Sequence, residues 1–226
     1  MIKKLFFFSF LTLAVTMQIF AQRDDVIELS SKSNAIRLGP KIGIGLTTMG
    51  QPNEGKVYDG PGIGLIGGAS LKARFGRATA DTRQGGTGLI GVGLEVLYKQ
   101  NKVKCVDGLN LTLGYLEIPV SLQLYPMKKS NVMNRFYIEA GADFAKIISK
   151  SPSELKVPSI NTTYKTSDFS GGDIRVLAGL GYTIPTTGLD ISARYYIGMS
   201  KLAGNFPCKQ NTLEVSLAWL FDIATF

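Results

Sequence analysis

The chain contains no histidine. Histidine is the usual general base of serine hydrolases and acyltransferases and the commonest metal ligand, so its absence argues against both kinds of chemistry. The glycine-rich stretch around Gly64 is not followed by the Lys-Ser/Thr ending of a phosphate loop. We therefore expect no enzyme activity, no catalytic residue, no metal site and no cofactor.

Long apolar runs are also scarce. Lys3 and Lys4 precede an apolar stretch over residues 5–20, and Ala21 follows it. This stretch is shorter than the roughly 20 residues that a spanning helix needs, so it predicts a secretory signal over residues 1–21. No later segment is apolar for long enough to form a membrane helix, and a membrane-resident chain would therefore cross as strands.

Long basic runs are missing as well. The net charge is +8, but after the signal the longest basic run is Lys128 and Lys129. We therefore expect no nucleic acid partner. The scattered surplus is compatible with anionic lipopolysaccharide, although solvated surface charge is the commoner reason for such a pattern.

Alternation of apolar and polar residues runs through most of the remaining chain, which has 26 glycines. Period two is typical of strands, and a spanning strand needs roughly 9 to 11 alternating residues. Eight segments meet this requirement: 36–48, 63–75, 89–99, 111–125, 135–148, 173–182, 189–202 and 213–221. The sequence predicts an all-β fold, an eight-stranded antiparallel transmembrane β-barrel over residues 36–226, after a polar periplasmic stretch over residues 22–35.

The connections predict the orientation of this barrel. With the N-terminus in the periplasm, residues 126–134 and 185–187 become inner turns and residues 149–170 become a longer outer loop, which is the usual asymmetry. The connection over residues 76–88 is long for an inner turn, so we expect strands two and three to extend further. Lys146 falls on the apolar face of strand five, and we expect it near the outer interface. The periplasmic ends of the lipid faces carry aromatic side chains: Phe75, Phe136, Tyr182 and Phe221.

The inward faces of the strands carry charges of both signs. They are Arg37, Lys41, Lys72, Arg74, Glu95, Glu117, Glu139, Asp143, Arg175, Arg194 and Glu214. Eight strands enclose only enough room for side chains or one small ligand, and an unpaired buried charge costs several kcal/mol. We expect a closed lumen plugged by salt bridges, with a narrow ion path as the alternative. Glu139 and Asp143 could form a carboxylate pair, but bridges to neighbouring strands are favoured.

The two cysteines form a candidate disulfide. The predicted strands place Cys105 and Cys208 in outer loops, in an oxidising compartment where disulfides persist. These loops join strands on opposite sides of the barrel and would have to fold over its mouth to bring the two Cα atoms within about 7 Å. The sequence leaves both alternatives open, a disulfide between Cys105 and Cys208 and two separate thiols.

Several strands resemble a known family. The strand with Tyr115, Leu116, Glu117, Ile118 and Pro119 (YLEIP) is followed by segments that read FYIEAG, GLGY and ARYYIG at residues 136–141, 179–182 and 193–198. These motifs resemble the PorT-like outer-membrane β-barrel family of the Bacteroidetes. The resemblance implies a porin-like barrel. Because the family's namesake takes part in type IX secretion and gliding, it also implies secretion-complex proteins as partners.

We therefore expect an integral outer-membrane protein with a non-enzymatic structural or interaction role, exposed outer loops and an accessory part in secretion. The alternative is a narrow porin or small-solute transport barrel. A soluble lipocalin-like barrel, with its apolar side chains turned inward, is a third reading. The terminal Phe226 resembles the aromatic residue that outer-membrane barrels present for assembly. We therefore expect outer-membrane lipid as a partner and the barrel-assembly machinery as a partner during insertion.

Overall fold

The computed structural model describes residues 35–50, 58–77, 87–105, 110–125, 136–157, 162–169, 171–184, 187–201 and 209–225. The strands are β1 (Ala35–Met49), β2 (Tyr58–Arg77), β3 (Thr87–Cys105), β4 (Asn110–Leu124), β5 (Phe136–Ser151), β6 (Glu154–Val157), β7 (Thr162–Lys165), β8 (Gly172–Thr183), β9 (Leu189–Gly198), β10 (Gln210–Trp219) and β11 (Phe221–Thr225). The predicted signal lies outside the described residues, as does the polar stretch except for Ala35, which already belongs to β1.

The main sheet closes on itself. Its antiparallel neighbours run in the order β1, β2, β3, β4, β5, β8, β9 and β10, and β10 pairs again with β1. The short β11 continues the path of β10 and pairs with the beginning of β1. In the described part of the chain this is a closed eight-stranded antiparallel barrel with one additional strand, which confirms the predicted fold class. Closure leaves no unpaired strand edge to face lipid.

The two ends of the barrel differ. At one end Ala35 pairs with Thr225, and we call it the terminal end. At the other end β5 runs into the separate two-stranded sheet of β6 and β7, and we call it the hairpin end. A single 3-10 turn, Thr166–Asp168, follows β7. No helix of the described residues is long and apolar enough to cross a membrane.

The outer wall of the barrel is apolar. Large side chains alternate outward along every spanning strand and are half exposed, as with Ile42 at 60% and Leu65 at 64%. Their sequence neighbours on the other parity, such as Lys41 and Ser70, are buried in the interior. A soluble barrel would turn its apolar faces inward, so the lipocalin-like reading is wrong.

The terminal end carries the aromatic residues picked out from the sequence. Phe75 is 44% exposed near the end of β2, and Phe136 pairs with Tyr182 across β5 and β8. Phe221 stacks on Trp219 with ring centroids 5.6 Å apart. Such aromatic rings suit the polar boundary of a lipid bilayer.

Several predicted bounds need correction. β2 and β3 extend into the connection over residues 76–88 as far as Arg77 and Thr87, which confirms the predicted extension by two residues on each strand, and residues 78–86 lie outside the described residues. The rest of their additional length lies at the hairpin end. β9 ends at Gly198 and not at residue 202. Residues 149–170 are not a plain loop, because β5 continues to Ser151 and is followed by β6 and β7. Four-residue strands are too short to stand out in a search for membrane-spanning segments.

The β6–β7 hairpin is tied to the end of β5. The Thr166 hydroxyl lies 2.8 Å from the Pro152 carbonyl oxygen and 2.9 Å from that of Ser153, which also accepts a bond from the Thr166 backbone N–H. Lys150 Nζ donates to the carbonyl oxygens of Ser167 and Phe169. These bonds fix the position of the hairpin relative to the barrel wall.

Pro119 interrupts one ladder of the barrel. β3 and β4 pair through Leu94 and Val120 and again through Leu97 and Glu117, with no pair between these two points in their register. Proline has no N–H to donate, so it cannot support a ladder on that side. On its other side Pro119 still lies opposite Asp143 of β5.

Replacing an outward apolar residue near the middle of a strand tests the membrane-facing wall. Val96 lies at the centre of β3 and is 52% exposed. Val96→Arg is expected to lower the free energy of unfolding of the barrel in lipid vesicles by about 2–4 kcal/mol, the cost of a cation near the bilayer midplane. Urea titration followed by heat-modifiable gel mobility measures this loss. Val96→Leu is the control, and equal stability of the two variants would contradict a lipid-facing Val96.

Candidate functional site: the charged interior of the barrel

Arg194 of β9 is held between two carboxylates inside the barrel. Its Nη1 and Nη2 lie 2.6 and 3.0 Å from the two carboxylate oxygens of Glu95. Its Nε and Nη2 lie 2.6 and 3.1 Å from those of Glu139. Both contacts are bidentate, the strongest geometry for an arginine and a carboxylate.

Two lysines extend this contact. Lys41 Nζ lies 2.8 Å from Glu95 and 2.9 Å from Glu214. Lys99 Nζ lies 2.9 Å from the other oxygen of Glu214 and 3.0 Å from Glu117. Glu214 of β10 therefore joins a lysine of β1 to a lysine of β3.

Arg175 of β8 completes the series. Its Nη2 contacts Glu117 and lies 2.8 Å from Asp143, while its Nε lies 3.8 Å from Asp173. The result is an unbroken sequence of alternating charges, which we call the charge chain. Its members in order are Glu139, Arg194, Glu95, Lys41, Glu214, Lys99, Glu117, Arg175 and Asp143.

The charge chain is shielded from water. None of its members exposes more than 4% of its surface. Tyrosine rings cover its cations at the hairpin end, since Lys99 Nζ lies 3.7 Å from the ring centroid of Tyr196 and the Arg175 guanidinium lies 5.1 Å from that of Tyr115. Burial of this kind is tolerated only when each charge has its partner, because removing one partner costs several kcal/mol.

The charge chain also crosses the lumen. β3 and β9 stand opposite each other in the closed strand order, with three strands between them on either side. The Arg194–Glu95 contact therefore bridges the full width of the barrel. Nearer the hairpin end, Gln210 accepts hydrogen bonds from Tyr115 and Asn101. Side chains from facing walls meet at both levels.

Further charges lie near the terminal end. Lys72 Nζ lies 2.6 Å from Asp190 and 2.6 Å from the Tyr137 hydroxyl, which also donates to Asp190. Arg37 pairs with Asp222 at 2.6 Å. These are local contacts, and in the described residues they do not join the charge chain.

The eleven charges picked out from the sequence lie in three settings. Eight are members of the charge chain, while Arg37 and Lys72 pair separately. Arg74 lies over the ring of Tyr125 at 4.6 Å. Glu139 and Asp143 do not form a carboxylate pair with each other, because they bind different arginines.

Four interior charges were missing from the sequence-based set. They are Lys99, Asp173, Asp190 and Asp222. Each has the same parity as an inward charge on its own strand or on the strand that continues it. Lys99, Asp173 and Asp190 lie at inward parity within the predicted segments, so carrying the alternation through to both ends of each segment would have found them, whereas Asp222 lies one residue beyond the last segment.

Cys105 is buried and is the last residue of β3, so it does not lie in an outer loop as predicted. Cys208 lies outside the described residues, so the disulfide stays a prediction. Maleimide labelling of the denatured chain before and after reduction tests it. Labelling that rises after reduction is expected for a disulfide, and identical labelling would remove it.

The apolar exterior, closed sheet and charged interior define an outer-membrane type of β-barrel. The sequence pattern described as "Outer membrane protein beta-barrel domain" matches residues 20–204. The chain belongs to this family and is an integral protein of the outer membrane. No curated protein matches it.

Solved barrel structures are similar to the chain. They include Ail, the attachment invasion locus protein of Yersinia pestis (14% identity, TM-score 0.41, covering 82% of this chain and 98% of that one). Neisserial surface protein A is 12% identical with a TM-score of 0.43, covering 82% of this chain and 97% of that one. OprG from Pseudomonas aeruginosa is 11% identical with a TM-score of 0.40, covering 84% and 97%.

Neutralising the central carboxylate tests the charge chain. Glu214→Gln leaves two fully buried lysines, Lys41 and Lys99, without their shared acid. We expect a loss of about 3–5 kcal/mol in the free energy of unfolding. Asp222→Asn is the comparison, because its pair with Arg37 is partly exposed and should be worth about 1 kcal/mol or less.

Urea unfolding in lipid vesicles measures both losses. Equal losses for the two variants would mean that Glu214 does not hold the interior together.

Proposed function

We propose that this protein is a closed, non-enzymatic barrel that serves as a membrane-anchored scaffold and presents its hairpin end for interaction. The observation that carries this proposal is the Arg194–Glu95 contact across the width of the barrel, at 2.6 and 3.0 Å. A general diffusion pore needs a continuous aqueous path at that level. A bidentate ion pair between opposite walls occupies it.

The energy needed to open such a path supports a closed lumen over the narrow-porin alternative. A solute would have to displace Arg194 from both Glu95 and Glu139, leaving charges unpaired in a confined interior. Each broken buried pair costs several kcal/mol. An eight-stranded barrel has no spare width through which the solute could pass beside the contact.

The construction of the hairpin end supports an interaction role. β2 and β3 rise well beyond the usual spanning length, to Tyr58 and Cys105. The β6–β7 hairpin is held to β5 through Thr166 and Lys150. A surface that is already ordered loses less conformational entropy when a partner binds, so this geometry suits a docking element.

The resemblance to PorT-like barrels supports secretion-complex proteins as the partners. In the structure, however, the YLEIP-like strand contributes mainly to the barrel itself. Glu117 belongs to the charge chain, and Pro119 interrupts a ladder. These residues therefore support the barrel part of the resemblance, while an accessory role in type IX-like secretion is the finer proposal. Export by the signal at residues 1–21 and insertion by the barrel-assembly machinery belong to the same proposal.

Single-channel recording tests the closed lumen. The purified protein in a planar bilayer is expected to show no steady open current. The double variant Arg194→Ala, Glu95→Ala removes the contact across the lumen and is expected to conduct, provided that heat-modifiable mobility shows a folded barrel. Lys165→Gln, at an exposed residue of β7, is the control and should show no open current. A steady open current in the unaltered protein would overturn the proposal.

Crosslinking in native outer membranes tests the interaction role. The tagged protein, purified in mild detergent, is expected to retain secretion-machinery components identified by mass spectrometry. Replacing residues 154–165 with a Gly-Ser linker should release them and leave the barrel folded. A protein that purifies alone, or a partner that stays bound without the hairpin, would contradict docking at the hairpin end.

A further inference from the structure

Lys146 stands apart from the interior charges. It lies on the outward face of β5 and is exposed, between Phe144 and Ile148, which are 51% and 54% exposed. In the register of the barrel it lies beside Leu116 on β4 and Gly172 on β8. None of the ion pairs formed by the described residues includes Lys146. An ammonium group therefore projects from a wall that is otherwise apolar at this level.

A groove opens next to this lysine. It is lined by Leu116, Ile118, Phe144, Lys146, Gly172 and Ser200, among others. The groove exists because Gly172 has no side chain and because β8 begins there, while β5 continues for five more residues to Ser151. The rim of the barrel is therefore stepped at this point, and the Lys146 groove lies directly below the step.

Asp173 also lines the groove, but its carboxylate is engaged elsewhere. Asp173 is buried, its Oδ1 accepts a hydrogen bond from the Ser200 N–H at 3.2 Å, and its Oδ2 lies 3.8 Å from Arg175 in the interior. Two further lysines, Lys102 and Lys104 of β3, have side chains on the outward face of the barrel and also lie towards the hairpin end. The groove therefore combines an apolar floor with a cation that pairs with no acidic residue in the described part of the chain.

We propose that the Lys146 groove binds a phosphorylated lipid of the lipid A type. The Lys146 ammonium pairs with a phosphate, and an acyl chain lies against Leu116, Ile118 and Phe144. A lysine is a suitable partner for a phosphate because it is a compact charge with three donors on a flexible stem. The surrounding hydrocarbon lowers the local dielectric constant, which strengthens the pair relative to one in water.

Snorkelling alone explains less of this geometry. A lysine that merely reaches towards water needs a path to the interface but no apolar groove beside it. Here the gap over Gly172 gives an acyl chain a place next to the charge. The choice of lipid A over a glycerophospholipid rests on the predicted orientation, in which the hairpin end faces outward and the phosphates at this level belong to the outer leaflet.

Native mass spectrometry of the full-length protein tests the site. The protein is reconstituted in phosphatidylcholine nanodiscs that contain a small fraction of diphosphoryl lipid A, and retained lipid A is counted after release. Lys146→Gln is expected to reduce retention about tenfold, the loss of one charge-assisted contact. Lys146→Arg should retain the lipid, and Lys165→Gln controls for the change in net charge.

A second variant tests the groove without changing charge. Gly172→Leu fills the gap, and a Cβ at Gly172 would meet only the Ala145 carbonyl oxygen, at 3.7 Å, so the barrel should still fold. It is expected to reduce retention as strongly as Lys146→Gln. Heat-modifiable mobility confirms folding of each variant.

Lipid chemistry supplies a test that needs no variant. The unaltered protein should retain dephosphorylated lipid A about tenfold less than the diphosphoryl form, since the phosphate contact is lost. Equal retention of the two forms would overturn the proposal, as would full retention of diphosphoryl lipid A by Lys146→Gln. In a competition experiment, displacement of bound lipid A by phosphatidylglycerol as readily as by free lipid A would also overturn it. None of these outcomes depends on a closed lumen or on a secretion partner.

Discussion

The bidentate contact of Arg194 with Glu95 and Glu139 is the constraint on which the rest of the interior depends. It links β9 to the opposite wall and to β5 at one level. Gly179 lies between Glu139 and Arg194 in the sheet register, and a Cβ there would stand 2.8 Å from Arg194 Cγ. The arginine can therefore reach both acids only because the strand beneath it carries no side chain at this position.

The same alternation of residues satisfies two different environments. Outward side chains such as Ile42 and Leu65 meet hydrocarbon, where every backbone polar group must already be paired within the sheet. The charged inward side chains meet almost no water, so they must pair with one another. The barrel is therefore apolar on the surface that faces lipid and charged in its interior, and this charged interior is not an aqueous channel.

The sequence was sufficient to predict the spanning strands but not the contacts between their inward side chains. Period-two alternation identified eight spanning strands because each one separates lipid from lumen over ten or more residues. It also indicated that Glu95 and Arg194 face inward. It could not indicate that they touch, because that contact depends on the stagger of β3 against β9 around a closed sheet. The set of inward charges omits Lys99, although Lys99 lies at inward parity at the end of the predicted segment 89–99. β6 and β7 were too short to be recognised.

The strand that closes the sheet has a second role. β10 supplies the hydrogen bonds that join the last spanning strand of the described residues to β1, and it also supplies Glu214 between Lys41 and Lys99. The pairing of β10 with β1 therefore closes the sheet and at the same time brings an acid to Lys41 and Lys99. In a partly assembled barrel without β10, Lys41 and Lys99 would lack their shared acid. Water would have to solvate the two ammonium groups until β10 pairs with β1. β10 therefore closes the barrel in two ways, through its backbone hydrogen bonds to β1 and through the carboxylate of Glu214.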